Sequence, residues 1–215
     1  MKDITVEIWS DVLCPFCYIG KRHLEQALAE FEDKEQVEIR WKSFELDPEA
    51  GREFDGDVYD MLAQKYGVSR DQAKAMNRRV LDMAGKAGLI FNLDAVKPTN
   101  SLDAHRIIQL ARQHGLQDKA EEKFFKAYFS EGRHLADHDE LQQISAEIGL
   151  DMTEVREVLN SDKFTAEVRA EEDEARELGV SGVPYFVFNR KYAVSGAQPP
   201  ELFLDVLKAV SNEDT

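Results

Sequence analysis

The sequence predicts an α/β fold in which a strand–helix–strand opening and a strand–strand–helix close are separated by a long helical segment. Two short stretches carry the opening. Ile4, Val6 and Ile8 alternate with Thr5, Glu7 and Trp9, and Val37, Ile39 and Trp41 alternate with Glu38, Arg40 and Lys42. Period-two alternation of this kind is the mark of a strand with one buried face. Between them Leu24, Ala27, Leu28 and Phe31 fall at i, i+3, i+4 and i+7, the apolar stripe of a helix. A crossover helix between two strands makes them parallel neighbours.

From about Asp57 to Leu178 the periodicity is helical. Ser69 followed by Gln72 forms a capping box ahead of Ala73, Met76, Val80 and Ala84. Ala104, Ile107, Ile108 and Ala111 repeat the helical spacing, and Leu141, Ile144, Ser145 and Ile148 nearly do. Asp151 with Glu154 marks a further helix start before Val155, Val158 and Leu159, and Lys97-Pro98-Thr99-Asn100 punctuates the series. Phe124, Phe125, Tyr128 and Phe129 are the expected interior of this helical layer. Strands return with Tyr185-Phe186-Val187-Phe188, an apolar run suited to a strand covered on both faces. Asn189-Arg190 reads as a tight turn into Lys191–Val194, and Pro200 opens a last helix with Phe203, Val206, Leu207 and Val210 on one face.

With 27 basic and 42 acidic residues the chain carries a formal charge of −15, which disfavours nucleic acid and anionic membrane surfaces as partners. No apolar run reaches the roughly 18 residues of a membrane span. The N-terminal stretch is acidic and alternating rather than a secretory leader, so the expected location is the cytoplasm. In a reducing compartment two neighbouring cysteines are reactive or metal-binding rather than a structural staple.

Cys14 and Cys17 are the only cysteines, three positions apart, between a strand and a helix. The thiolate is the nucleophile of disulfide exchange, and a helix N-terminus stabilises it through unpaired N–H groups and the helix dipole. Pro15 suits the first helical turn. The outer Cys14 is expected to be exposed and to react with substrate. Cys17, one turn in, is expected to resolve the mixed disulfide. A structural zinc site needs about four ligands, and no second CxxC supplies the other two.

The order βαβ, helical insert, ββα, with CPFC after the first strand and Gly182-Val183-Pro184 before the third, resembles the DsbA family of the thioredoxin superfamily. The segments WSDVLCPFCYIGKRHLE, NSLDAHRI, AYFSEG and GVSGVPYFVFNRKYAVSGAQ are similar to its cytoplasmic FrnE-like branch. The resemblance implies a thioredoxin-like domain of residues 1–50 and 165–215 and an all-helical insertion of residues 51–164. It implies a thiol–disulfide oxidoreductase acting on protein or small-molecule thiols, with Cys14 and Cys17 catalytic. Pro15, Phe16, Val183 and Pro184 are then placed against substrate, and Val183–Pro184 is cis. It implies no tightly bound cofactor, with glutathione as a reductant or co-substrate. The same architecture serves the glutathione-dependent 2-hydroxychromene-2-carboxylate isomerases and kappa-class transferases, which place Ser where Cys14 stands; this is the alternative function. Strongly oxidising relatives carry His between the cysteines, so Phe16 predicts a less stabilised thiolate and a less oxidising couple. Monomer and homodimer stay open.

Smaller signals remain. Asp11, three residues before Cys14, is a candidate proton relay or a loop carboxylate. Phe16, Tyr18 and Trp9 read as an aromatic rim of the site or as core. His134 and His138 have HxxxH spacing, but the acidic segment around them reads as a helix start, so no metal is assigned. Asn100, Asp103, His105 and Arg106 either line a cleft between insert and core or form a polar helix entry capped by Asn100 or Ser101.

Overall fold

The computed structural model describes residues 4–213; the first three residues of the acidic, alternating start and the outer limits of the expected thioredoxin-like domain lie outside them. The opening is β1 (Ile4–Ser10), α1 (Pro15–Glu30) and β2 (Val37–Ser43). The helical segment holds α2 (Val58–Tyr66), α3 (Arg70–Lys86), α4 (Leu102–Gln113), α5 (Gln117–Phe129), α6 (His138–Ile148), α7 (Met152–Leu159) and α8 (Thr165–Glu177). The close is β3 (Tyr185–Phe188), β4 (Tyr192–Ser195) and α9 (Pro200–Glu213). The strands form one sheet in the order β2-β1-β3-β4. β1 and β2 are parallel, as the crossover helix requires, and β3 is antiparallel to both β1 and β4. This is the expected βαβ…ββα order.

Strand alternation divides the sheet cleanly. Val6 and Ile8 of β1 join Phe186 and Phe188 of β3 on the face covered by α1 and α9, where Leu24, Phe31, Phe203 and Leu207 complete the core. Trp9 points the other way, packs with Ala175, Val180 and Val187, and donates from Nε1 to the Glu171 carbonyl of α8 at 2.9 Å. The hairpin between β3 and β4 turns on Asn189 and Arg190, both with positive φ (46° and 56°), a primed turn that matches strand twist.

The helical layer shares its core with the start of α1. Val12, Cys14, Cys17, Tyr18 and Ile19 lie in one apolar cluster with residues of α2 to α7. Tyr18 stacks on Phe125 at 4.9 Å and on Phe91 at 5.8 Å, and Phe91 stacks on Phe129 at 4.8 Å. Each such ring pair adds about 0.5–1.5 kcal/mol beyond area burial. The expected aromatic interior of α5 is therefore what fastens the helices to the cysteine-bearing end of α1.

The capping signals read before α3 and α7 hold. Ser69 and Gln72 make both bonds of a capping box, and Asp151 accepts from the N–H groups of Thr153 and Glu154. Two expectations change. Met76 is exposed, because the α3 face it shares with Met83 borders an open cleft rather than the core. The start of α4 has no side-chain cap: Ser101 stands at that position without the bond, and Asn100 Nδ2 instead donates to the Ala50 carbonyl.

Candidate active site

Cys14 is the N-cap residue of α1, extended at φ −94° and ψ 112°, and Pro15 begins the helix. Pro15 fits there because the first helical N–H has no partner within the helix. The Cys14 N–H donates to the Asp11 carbonyl at 2.9 Å and the Cys17 N–H to the Cys14 carbonyl at 3.1 Å. Both cysteines carry free thiols. Cys14 is 3% exposed and Cys17 1%. The expectation of an exposed Cys14 is thus corrected: the residue is buried, and it lines a cleft together with Leu13, Phe16 and Val183.

The Val183–Pro184 peptide is cis, and Cys14 Sγ donates to the Val183 carbonyl at 3.5 Å. The chain before β3 is therefore brought against the CxxC turn. Gly20 allows this approach: a Cβ there would lie 3.1 Å from both Pro184 and Phe186.

The cleft has a volume of about 820 Å³, in the range of small-molecule and peptide sites. Its far wall is made by Met61, Leu62, Met76, Val80 and Met83 of α2 and α3. Phe16, Leu46, Tyr66, Met76 and Met83 are large apolar residues left exposed, and all border this one opening. A contiguous apolar patch on a soluble surface marks a binding site, and methionines adapt to varied shapes. Of the proposed aromatic rim only Phe16 lines the cleft. Tyr18 is core, bonded through its hydroxyl to Glu122 at 2.7 Å, and Trp9 lies on the opposite face of the sheet under α8.

A buried polar group starts at Asp11, which lines the same cleft as Cys14. Asp11 is 1% exposed, and its carboxylate accepts from the N–H groups of Leu13 at 3.0 Å and Leu46 at 2.8 Å. His105 Nε2 lies 3.7 Å from Asp11 Oδ1, an ion-pair separation longer than a hydrogen bond. Burial alone would lower the His105 pKa, but the carboxylates of Asp11, Glu121 and Glu45 outweigh it and raise it above 6.5. Glu121 is wholly enclosed, and burial pushes its carboxyl up to about 8. Burial and the neighbouring Cys14 thiol raise the Cys17 pKa well above the ordinary thiol value, opposed by the Asp11 N–H and the Ser10 hydroxyl. Cys17 is a thiol at neutral pH.

The other candidates are structural. His134 Nε2 contacts the Arg52 carbonyl at 2.9 Å, and His138 Nε2 contacts Asp103 Oδ2 at 3.1 Å. Asp103 also holds Arg106, which donates to the carbonyls of Lys163, Val158 and Ser161. These contacts tie α4 to the segment around α7 and away from the cysteines. Of Asn100, Asp103, His105 and Arg106, His105 comes within 3.7 Å of Asp11, and Ser101 beside them lines the cleft. Glu121 was not singled out by the sequence. Its signal was its place on the apolar stripe of α5, three, four and seven residues before Phe124, Phe125 and Tyr128.

Residues 5–208 match the DSBA-like thioredoxin domain family. The chain belongs to this family. The crystal structure of a probable DsbA oxidoreductase from Streptomyces coelicolor is 39% identical, with a TM-score of 0.93 over 99% of this chain and 92% of that one. Two more distant likenesses are of fold alone. A cytosolic disulfide reductase, DsbM from Pseudomonas aeruginosa, is 18% identical with a TM-score of 0.66, covering 95% of this chain and 97% of that one. A 2-hydroxychromene-2-carboxylate isomerase is 16% identical with a TM-score of 0.69, covering 98% and 97%. As a member of the DsbA-like family the chain has the thioredoxin-like fold, which it shares with a 39% identical protein described as a probable DsbA oxidoreductase. Among the described residues no helix is long and apolar enough to cross a membrane.

Proposed function

We propose that the protein is a thiol–disulfide oxidoreductase in which Cys14 exchanges with substrate and Cys17 resolves the mixed disulfide. One observation carries this: Cys14 caps α1 and lines the apolar cleft, while Cys17 sits one turn on, enclosed and against Cys14. In the oxidising direction a substrate thiolate attacks the Cys14–Cys17 disulfide at Cys14 Sγ, Cys17 leaves as a thiolate and takes up a proton, and a second substrate thiolate then displaces Cys14. In the reverse direction the Cys14 thiolate attacks a substrate disulfide. Cys17, once deprotonated, then attacks Cys14 Sγ and releases the substrate sulfur.

Pro15 fixes the turn, while Phe16 and Val183 line the cleft floor beside the reacting sulfur, with Pro184 directly behind Val183. The apolar wall of α2 and α3 suits cysteines presented among apolar groups, whether in an extended polypeptide or an apolar small thiol. Asp11 is the proposed acceptor of the Cys17 proton, since its main chain already borders that sulfur. Glutathione is the proposed recharging thiol, and the cytoplasm, as for the FrnE-like branch, the proposed location. The glutathione-dependent isomerase alternative has the same fold, but gives Cys17 no task.

The decisive experiment equilibrates the protein in glutathione buffers of graded redox poise and weighs the products by mass spectrometry. The expected result is an intramolecular Cys14–Cys17 disulfide losing two hydrogens, with a single glutathione adduct only when Cys17 is replaced. Thiols that remain reduced under oxidising buffer, or a protein fully active on its substrate as Cys14→Ser, would reject the assignment.

A further inference from the structure

Two hydrogen-bonding side chains on the walls of the cleft are left without a partner. Asn77 of α3 and Tyr128 of α5 line the same opening as Cys14. Asn77 is 8% exposed and Tyr128 4%. Asn77 Nδ2 is enclosed with no acceptor, and the Tyr128 hydroxyl makes no hydrogen bond among the described residues. A buried donor left unmet is destabilising, and asparagine is a poorer helix-interior residue than leucine or alanine. Asn77 carries both disadvantages in the middle of the buried stripe of α3, between Ala73 and Ala84. Packing alone would favour an apolar side chain there. Buried tyrosine hydroxyls ordinarily find a partner too. Burial and the charge of Asp11 keep the Tyr128 hydroxyl protonated, so it remains a donor.

We propose, resting on the exchange reading above, that Asn77 and Tyr128 are specificity-determining residues of the cleft, each donating to a main-chain carbonyl of an extended polypeptide whose cysteine is engaged by Cys14. Both groups need an acceptor. An extended main chain supplies one at every residue, about 3.3 Å apart, with side chains alternating to either side. Its apolar side chains meet Met76, Val80 and Met83 on the same wall. A small apolar thiol brings no such acceptor. The amide of Asn77 turns on χ2, a broad torsion, so its N–H groups are free to rise to an arriving carbonyl. Because folding has already stripped this donor of water, a carbonyl that reaches it gains more than it would at an exposed donor, which must first give up its solvent.

Other polar groups on the cleft are already engaged or stand in water. Asp11 holds the Leu13 and Leu46 N–H groups, Asp47 accepts from the Glu49 N–H at 3.2 Å, and Thr99 Oγ1 donates to the Arg52 carbonyl at 2.7 Å. Lys65 and Arg79 are exposed on the rim. Glutathione, with its own amide carbonyls, is the competing source of an acceptor for Asn77 and Tyr128, and the experiment separates it from a polypeptide.

Asn77→Leu and Tyr128→Phe keep the shape of each side chain and remove its donor. Pre-reduced wild type and variants are given a disulfide-linked peptide of apolar residues, glutathione disulfide, or hydroxyethyl disulfide, which has no carbonyl. Acid-quenched single turnovers read by mass spectrometry yield a saturation curve for each. Either variant should raise the half-saturating peptide concentration about tenfold, the size of one desolvated hydrogen bond, while the rate at saturation changes far less. The efficiency on the peptide should fall by the same factor relative to that on hydroxyethyl disulfide. N77L should melt no lower than the wild type, whereas a purely structural asparagine predicts lower stability and an equal loss on all three substrates. Y128F keeps the test alive should N77L fold poorly. Peptide curves that superimpose on the wild type, or losses of equal size on peptide and hydroxyethyl disulfide, would overturn the proposal. A loss confined to glutathione disulfide would assign the donors to the recharging thiol and overturn the polypeptide assignment. A wild type that reduces none of the three disulfides would instead overturn the exchange reading itself.

Discussion

Glu121→Gln has a consequence that stability measurements reach without any substrate. Unfolded, the Glu121 carboxyl ionises at its ordinary 4.5; folded, burial holds its proton until about 8. Between these values the native state binds one more proton than the unfolded state, so stability falls as pH rises through the window. The separation, about 3.5 pH units at 1.36 kcal/mol each, sets an upper limit of about 5 kcal/mol on the stability lost by the alkaline end. Gln does not titrate and lacks this loss. The raised His105 pKa acts in the same direction, since stability from its charged form is present below its unfolded value and lost as pH rises through the folded one. That contribution is largely common to both proteins. Urea unfolding of wild type and E121Q at intervals from about pH 5 to 9 gives the difference directly. The mutant should match the wild type at the acid end and become steadily more stable relative to it, by several kcal/mol near pH 8. Parallel curves would refute the claim that Glu121 is held neutral by burial.

Other outcomes follow from the same geometry. Cys17→Ser should leave Cys14 able to form mixed disulfides but not to release them, so that mass spectrometry after substrate exposure finds a persistent adduct absent from the wild type and from Cys14→Ser. Replacing both Met76 and Met83 by Glu puts charge on the exposed apolar wall. It should raise KM about tenfold for disulfides flanked by apolar residues, with kcat and thermal stability little changed, in a comparison with a polar-flanked substrate. Gly132 has φ +67°, and an added Cβ would lie 2.6 Å from Ala95 Cβ and 2.7 Å from Ala95 O. Gly132→Ala should therefore cost about 2–4 kcal/mol, read as a lower urea midpoint with an unaltered slope.

Much of this architecture is legible in the chain because the signals are local. Alternation in Ile4–Trp9 and Val37–Lys42 placed two strands, and their crossover helix made them parallel. The Ser69–Gln72 box and the Asn189–Arg190 turn announced their own backbone geometry. The cysteine pair was legible for the same reason, since spacing and helix start are neighbours in sequence. What escaped depends on distant chain segments meeting. Trp9 read as rim or core, and only the fold decides for core, since strand alternation turns it from the α1 face towards α8, 162 positions away at Glu171. Met76 looked like core because its spacing is helical, but periodicity does not say whether a stripe meets protein or a cleft. Glu121 was hidden because a carboxylate on an apolar stripe is ordinarily a solvated edge residue. Only the convergence of β1, α4 and α5 makes it a buried acid.

The wall and the floor of the cleft are attached to the protein in different ways. Cys14, Cys17 and Tyr18 are packed into the large apolar cluster, so the reactive end moves only if the helical layer moves with it. The α2–α3 hairpin stands on the rim, with only Val58 and Tyr59 of α2 and Ala73, Asn77 and Ala84 of α3 buried. Many of its other side chains look onto solvent or the opening, where exchanges have little effect on folding. One chassis of this kind accommodates successive changes of clientele by rewriting a single overhang, while the sulfur chemistry beneath stays as it was.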